Sequence, residues 1–239
     1  MKVQVPQNSG EGEEEKRDNE STRKAAKVVD VSHDSISKAK KVKQQAPDLA
    51  QEVILLDRAN KVIKFISHLK HSKAPFAGQP FALMDWQVDF AQRLYGTLTP
   101  DGRRQYRQAL LYIPRKNGKT ALAAALALYH LVADGKPGSE VYLAAGSRDQ
   151  ASICFNQARD FVRSNPTLNK RLRIIEYKKL IIDDKTGSIL KTLAADGGLA
   201  HGLNPTCVIC DELHVWANKR GREMWEALVT SFGGRDEPL

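Results

Sequence analysis

At 239 residues the chain can form one large domain or two small ones, and its 37 Lys and Arg against 28 Asp and Glu give a formal net charge of +9. That surplus favours polyanionic partners, nucleic acid or nucleotide phosphates, with a basic surface lacking a dedicated ligand as the plainer alternative. No apolar run reaches the ~18 residues of a membrane span and the N-terminus is too polar for a secretory signal, so the expected location is the cytosol.

Residues 1–46 contain no aromatic residue and mix acidic blocks (EGEEEKRDNE) with basic ones (SKAKKVK). Such a segment cannot bury enough apolar surface to offset its ordering entropy, and a disordered, charged N-terminal arm is expected. Lys38, Lys40, Lys41 and Lys43 could touch DNA; a solvated tail is the plainer reading. From Pro47 the pattern changes. Leu49, Val53, Leu56, Ile63, Ile66 and Leu69 fall near helical spacing and predict an amphipathic helix from about residue 48 to 70. His68 and His71 near its end could be half of a metal site, but no carboxylate or cysteine joins them in sequence, which favours a solvated helix end. A Pro/Gly-rich link over 73–80 leads to a second helix around 85–95.

The remainder alternates. YRQALLYI (106–113) reads as a strand, 119–133 as a helix, EVYLAA (140–145) as a strand and 149–164 as a helix. RLRIIEY with KKLIID reads as strands or a hairpin, SILKTLAA (188–195) and TCVIC (206–210) as strands, and 222–231 as a helix. This alternation implies an α/β fold, a mostly parallel sheet with helices on both faces. Among the three cysteines, Cys154, Cys207 and Cys210, no disulfide framework is implied. Cys207 and Cys210 have C-x-x-C spacing, but residues three apart on a strand point to opposite faces and no second pair completes a zinc site.

PRKNGKTALAAALALYHL, from Pro114, places Gly-Lys-Thr between a strand and a helix, the context a phosphate loop requires. The usual G-x-x-x-x-G-K-[ST] spacing needs a glycine at position 113, where this chain has Ile113. Backbone N–H groups at a helix N-terminus point at phosphates, and the helix dipole favours negative charge there. Gly118 lets the backbone come close, Lys119 reaches the β- and γ-phosphates, and the Thr120 hydroxyl can ligate Mg²⁺. Farther on, TCVICDELHVW is an apolar strand ending in Asp211-Glu212. Nucleotide hydrolysis needs such a pair opposite a phosphate loop: Asp211 for the Mg²⁺ shell, Glu212 to orient and deprotonate the attacking water. An accidental Gly-Lys-Thr and a solvated Asp-Glu turn are the bland alternatives; both halves in one α/β chain point to an ATPase.

From about Phe76 onward the chain resembles the ATPase domain of the large terminase subunit of tailed bacteriophages, the motor that packages DNA into proheads. That family's phosphate loop is deviant, with Arg-x-x-Gly-Lys-Ser/Thr and no need of the first glycine. Arg115-Lys116-Asn117-Gly118-Lys119-Thr120 matches it position by position. FALMDWQ (81–87) resembles the upstream segment whose glutamine reads adenine, which implies that role for Gln87. AAGSRDQA (144–151), ADGGLAHGLNP (195–205) and ICDELHVW resemble further family segments, in family order.

The resemblance implies a P-loop NTPase domain of the ASCE, RecA-like type over residues 47–239 that binds ATP and Mg²⁺. Residues 115–120 and Gln87 would form the nucleotide site, with Arg115 as a cis arginine finger. It also implies double-stranded DNA, a portal protein and a small terminase subunit as partners, a homo-oligomeric ring, no membrane, and the cytoplasm of a bacterial host. The family's coupling motif should follow directly after EPL, and its ribonuclease-H-type nuclease domain is not in these 239 residues. The expectation is therefore an ATPase fragment without the strand that lies between 106–113 and 206–210. Two other readings stand beside this one. Asp211-Glu212-Leu213-His214 fits the acidic motif of a DExH-type helicase or translocase, although such chains pair two domains. A truncated remnant that binds nucleotide or DNA without turnover is the non-enzyme alternative.

Overall fold

A computed structural model describes residues 47–195 and 202–239, with side chains from residue 57 onward. The N-terminal arm with its four lysines, and residues 196–201 of the ADGGLAHGLNP loop, lie outside the described residues.

Helix α1 (Pro47–Ser67) and helix α2 (Asp85–Gly96) come first, as their apolar spacing predicts. His68 and His71 serve local packing: the His68 ring nitrogen Nδ1 lies 2.6 Å from the Lys64 carbonyl, and His71 stacks against Phe76 and Phe81. Helix α3 (Lys119–Val132) is apolar on nearly every side, and every residue from Ala124 to Leu131 is buried. Each fully buried leucine there contributes about 2 kcal/mol. Strand β1 (Glu140–Ala145) follows, then helix α4 (Arg148–Ser164), started by the Ser147 hydroxyl accepting from the Gln150 N–H. A short helix absent from the sequence reading, α5 (Pro166–Arg171), is capped by Asn165, with proline in the first turn where no N–H is needed. Strands β2 (Leu172–Ile175) and β3 (Leu180–Asp183) form the expected hairpin, and β4 (Ser188–Ala194) and β5 (Cys207–Cys210) complete the sheet. Helix α6 (Lys219–Ser231) closes the chain, capped by Asn218.

The strand order is β2-β3-β4-β1-β5. β1 pairs in parallel with β4 and β5, so the three strands nearest the candidate site share one direction. The hairpin adds an antiparallel margin at the far edge. One face packs Val141, Leu143, Ile181, Leu190 and Cys207 against α1 to α4. On the other face Ala144 meets Trp216, Met224 and Leu228. Helices cover both faces, as the alternating pattern requires.

One predicted strand is corrected. Residues 106–113 form no strand among the described residues, and Leu110 and Tyr112 are 82% and 96% exposed. The reason is lateral. Both edges of β1 are taken by β4 and β5, and the outer edge of β5 stands across a groove from this segment. A strand needs a neighbour to satisfy its N–H and C=O groups, and residues 106–113 have none within reach.

The sheet's lower end holds a buried polar chain that the sequence did not announce. His130 Nε2 lies 2.9 Å from the Tyr95 hydroxyl, and Nδ1 lies 3.1 Å from the Asp134 carboxylate. Burial pushes the imidazolium pKa down, but its electrostatic and hydrogen-bonding contacts with Cys207 and Asp134 outweigh it and hold His130 at about 9. Asp134 is held at about 2: burial opposes this, and the His130 charge and hydrogen bond, helped by Lys136 and Arg104, prevail. Because folded His130 holds its proton more tightly than the unfolded chain does, its contribution is complete below about pH 6.5. It is lost as the pH rises through about 9. The Asp134 contribution is complete above its ordinary 3.8 and lost as the pH falls through about 2. The denaturation midpoint should therefore decline between about pH 7 and 9.5, and His130→Gln should flatten that alkaline arm. An unchanged arm in the variant would assign the loss to other groups.

Candidate nucleotide site

The parallel strands end at the corner where the phosphate-loop sequence turns into α3. Lys116 has φ 67° and Gly118 φ 75°, both in the left-handed region, so the loop reverses tightly before the helix. Gly118 is required twice. Its backbone sits where a side chain is strained, and a Cβ would stand 3.1 Å from the Gln87 amide nitrogen. The loop is braced from within, the Asn117 amide donating to the carbonyls of Pro114 at 3.2 Å and Arg115 at 3.3 Å. The Lys119 ammonium donates to the Ile113 carbonyl at 3.2 Å, folded across the turn it closes. Thr120 lies in the first turn of α3, on the half-buried side.

Gln87 arrives from α2, far away in sequence. It is only 1% exposed, and its side-chain oxygen accepts from the Met84 N–H at 3.0 Å. That bond fixes the amide orientation, and among the described residues the buried nitrogen Nε2 then has no hydrogen-bond partner. A buried orphan donor is costly unless something completes it. Its place beside Gly118 suits a ligand acceptor held over the loop, such as a purine ring nitrogen.

The acidic pair comes from β5. The Asp211 N–H donates to the Ala144 carbonyl at 2.9 Å, which ties the end of β5 to β1. Burial raises the Asp211 carboxyl pKa and the Glu212 charge raises it further; the Glu212 N–H, at 3.0 Å, and Lys119 act against them. An added cation at this carboxylate would relieve its desolvation, so the donor set of Thr120 hydroxyl and Asp211 carboxylate fits a hard divalent ion such as Mg²⁺. Glu212 has φ 50°, a conformation uncommon for a residue with a side chain. The 3-10 turn Leu213–Ala217 that follows is wedged in place. A Cβ on Gly146 would stand 3.0 Å from Val215, and one on Gly221 would stand 2.4 Å from the Trp216 carbonyl oxygen. Arg115, Lys119, Asp211 and Glu212 line one groove of about 1400 Å³. Lys116 and Asn117 brace or border the loop, and Thr120 and Gln87 flank it.

Of the residues singled out for nucleotide chemistry, Arg115, Lys119, Asp211 and Glu212 share the groove, Gln87 lies beside Gly118, and Lys116, Asn117 and Thr120 belong to the loop and the first turn of α3. Three features escaped the sequence reading: the left-handed Glu212, the two glycines seating the turn beyond it, and His214, whose Nδ1 stands 3.3 Å from Glu212 Oε2. Of these only His214 left a mark in sequence, as the last letter of DELH. The cysteines are free; burial pushes Cys154 and Cys210 up to about 12, so neither is a ready thiolate. Among the described residues no helix is long and apolar enough to cross a membrane.

Known proteins resemble this chain in sequence and fold. A family model for the ATPase domain of the terminase large subunit matches residues 85–239. The terminase large subunit of Enterobacteria phage HK97 is 34% identical over 188 residues, covering 77% of this chain and 36% of that protein. The crystal structure of the HK97 bacteriophage large terminase superposes with a TM-score of 0.65 at 33% identity, over 76% of this chain and 36% of its own. This chain therefore spans little more than a third of the length of the relative it matches. Fold and sequence agree: the chain belongs to the family of terminase large-subunit ATPase domains.

Proposed function

We propose that the chain hydrolyses ATP to drive double-stranded DNA into a viral prohead. The carrying observation is that the phosphate loop and the Asp211-Glu212 pair face one groove at the same end of the parallel strands. Lys119 holds the transferred phosphoryl group, and Arg115, its planar fork on the same groove, offsets charge developing on it. Lys116, Asn117 and Gly118 shape the cradle of backbone N–H groups, and Gln87 reads the adenine edge. Thr120 and Asp211 would hold Mg²⁺, which supplies charge neutralisation across the phosphates. Glu212 orients the attacking water and takes its proton.

Residues 47–239 form the ATPase domain in this reading, and residues 1–46 a charged arm. Its partners are double-stranded DNA, a portal protein and a small terminase subunit, with several copies in a ring in the cytoplasm of a bacterial host. The net charge of +9 supports a polyanionic track.

Glu212→Gln tests the assignment. The amide keeps size and polarity but cannot accept the proton, so ATP should bind within threefold of the parent affinity while single-turnover hydrolysis falls about 100-fold or more. Loss of binding instead would make Glu212 a structural residue and place the base elsewhere.

A further inference from the structure

We propose that His214 is a positioning residue for Glu212, one that fixes the carboxylate in its catalytic orientation. The inference rests on the reading of Glu212 as the base.

Glu212 is an unusual place for a reliable base. Its backbone is left-handed, at φ 50°, and its side chain is about one-third exposed, at 32%. A free carboxylate there would sample several rotamers, and a base must stay within hydrogen-bond reach of the proton it removes. Among the described residues the imidazole of His214 is the side chain at hand, with Nδ1 3.3 Å from Glu212 Oε2. A neutral or charged imidazole can present an N–H from that nitrogen. An N–H there would hold that carboxylate oxygen, on a residue that lines the groove. His214 itself is two-thirds exposed, so packing of its own ring does not explain its place.

The ring is placed by the turn rather than by neighbours of its own. Val215 N–H donates to the Glu212 carbonyl at 3.0 Å, closing the first turn of Leu213–Ala217 over the acid. Gly146 just after β1 approaches Val215 tightly, and Gly221 in α6 leaves no room for a Cβ against the Trp216 backbone, so the turn is approached from two elements. Trp216 between them is buried among Ala144, Met224 and Leu228. The glutamate and the histidine therefore ride on one turn, and their backbone spacing is set by the fold.

The test compares four variants by single-turnover hydrolysis, ATP affinity and thermal unfolding. His214→Phe keeps the ring and removes the donor; its rate should fall about tenfold while ATP affinity stays within twofold of the parent. His214→Asn places an amide N–H near the position of Nδ1 and should recover at least half of the lost rate, in logarithmic terms. In a Glu212→Gln background, His214→Phe should cost nothing further, because the two act as a unit. A His214→Phe rate within twofold of the parent, with Glu212→Gln inactive, would overturn this inference and leave the site reading standing. So would equal losses in the Phe and Asn variants, or additive losses in the double variant. If Glu212→Gln itself turns over like the parent, Glu212 is not the base, and the site reading falls together with the inference.

Discussion

Lys119→Ala is expected to abolish ATP hydrolysis, with a loss of at least ~100-fold, the scale seen when one stabiliser of transition-state charge is removed. The lysine lies at the start of α3, where the helix dipole and its charge add up against an anion. Unlike Glu212, it acts on bound nucleotide as well as on the transition state, so ATP affinity should weaken in the same variant. The fold should survive, since among the described residues the ammonium bridges only to the Ile113 carbonyl of its own loop and α3 is anchored by its buried leucines. Titration calorimetry with ATP and a thermal melt separate the two effects. Turnover within twofold of the parent, in protein shown to be folded, would remove the phosphate-loop assignment.

The sequence carried the parts of this site that are local and hid those that are tertiary. Gly-Lys-Thr before an apolar helix is legible because the loop is contiguous and its chemistry needs those residues in that order. Asp211-Glu212 is legible because an apolar run ending in two acids has few other uses. Gln87 is different: nothing in DWQVDF marks a glutamine beneath a phosphate loop, and only family resemblance pointed to it. The left-handed Glu212 and the close approach of Gly146 and Gly221 to the turn after it are encoded by no local pattern. The hairpin β2–β3 was readable from its two apolar runs, whereas α5 is short and owes its start to an Asn-Pro pair easily taken for a turn. The segment 106–113 shows the opposite failure. Its apolar run ALLYI is a strand signal, but pairing depends on a neighbour elsewhere, and the run says nothing about whether one is there.

That missing neighbour sets the largest effect of all. The Leu239 N–H donates to the Thr206 carbonyl and the Val208 N–H donates to the Leu239 carbonyl, at 3.0 and 2.7 Å, so one residue is seated in parallel register on the outer edge of β5. Its approach is fixed from below. The Glu237 carboxylate accepts from Arg58 and from the Arg104 N–H, and Arg235 reaches the carbonyls of Gly138 and Asn204. Above Leu239 the edge is open toward Val208 and Cys210, and the groove beyond it is walled by 107–113 with Leu110 and Tyr112 turned out. A further strand seated there would pair with β5 on one side and with 107–113 on the other, and would bring the phosphate loop into register with Asp211 and Glu212. Without it, two apolar edges are free to pair with other chains, and the loop hangs on an unpaired segment. The 239-residue chain should therefore self-associate in light scattering and hydrolyse ATP only feebly. Extending it by about 20–30 residues, enough for one strand and its connection, should restore a discrete species and raise turnover together. Both changes have one cause, so they should appear in the same protein. A 239-residue chain that is monomeric, unfolds cooperatively and turns over ATP as fast as the extended form would show that the groove needs no strand. Residues 106–113 would then hold the phosphate loop in place unaided.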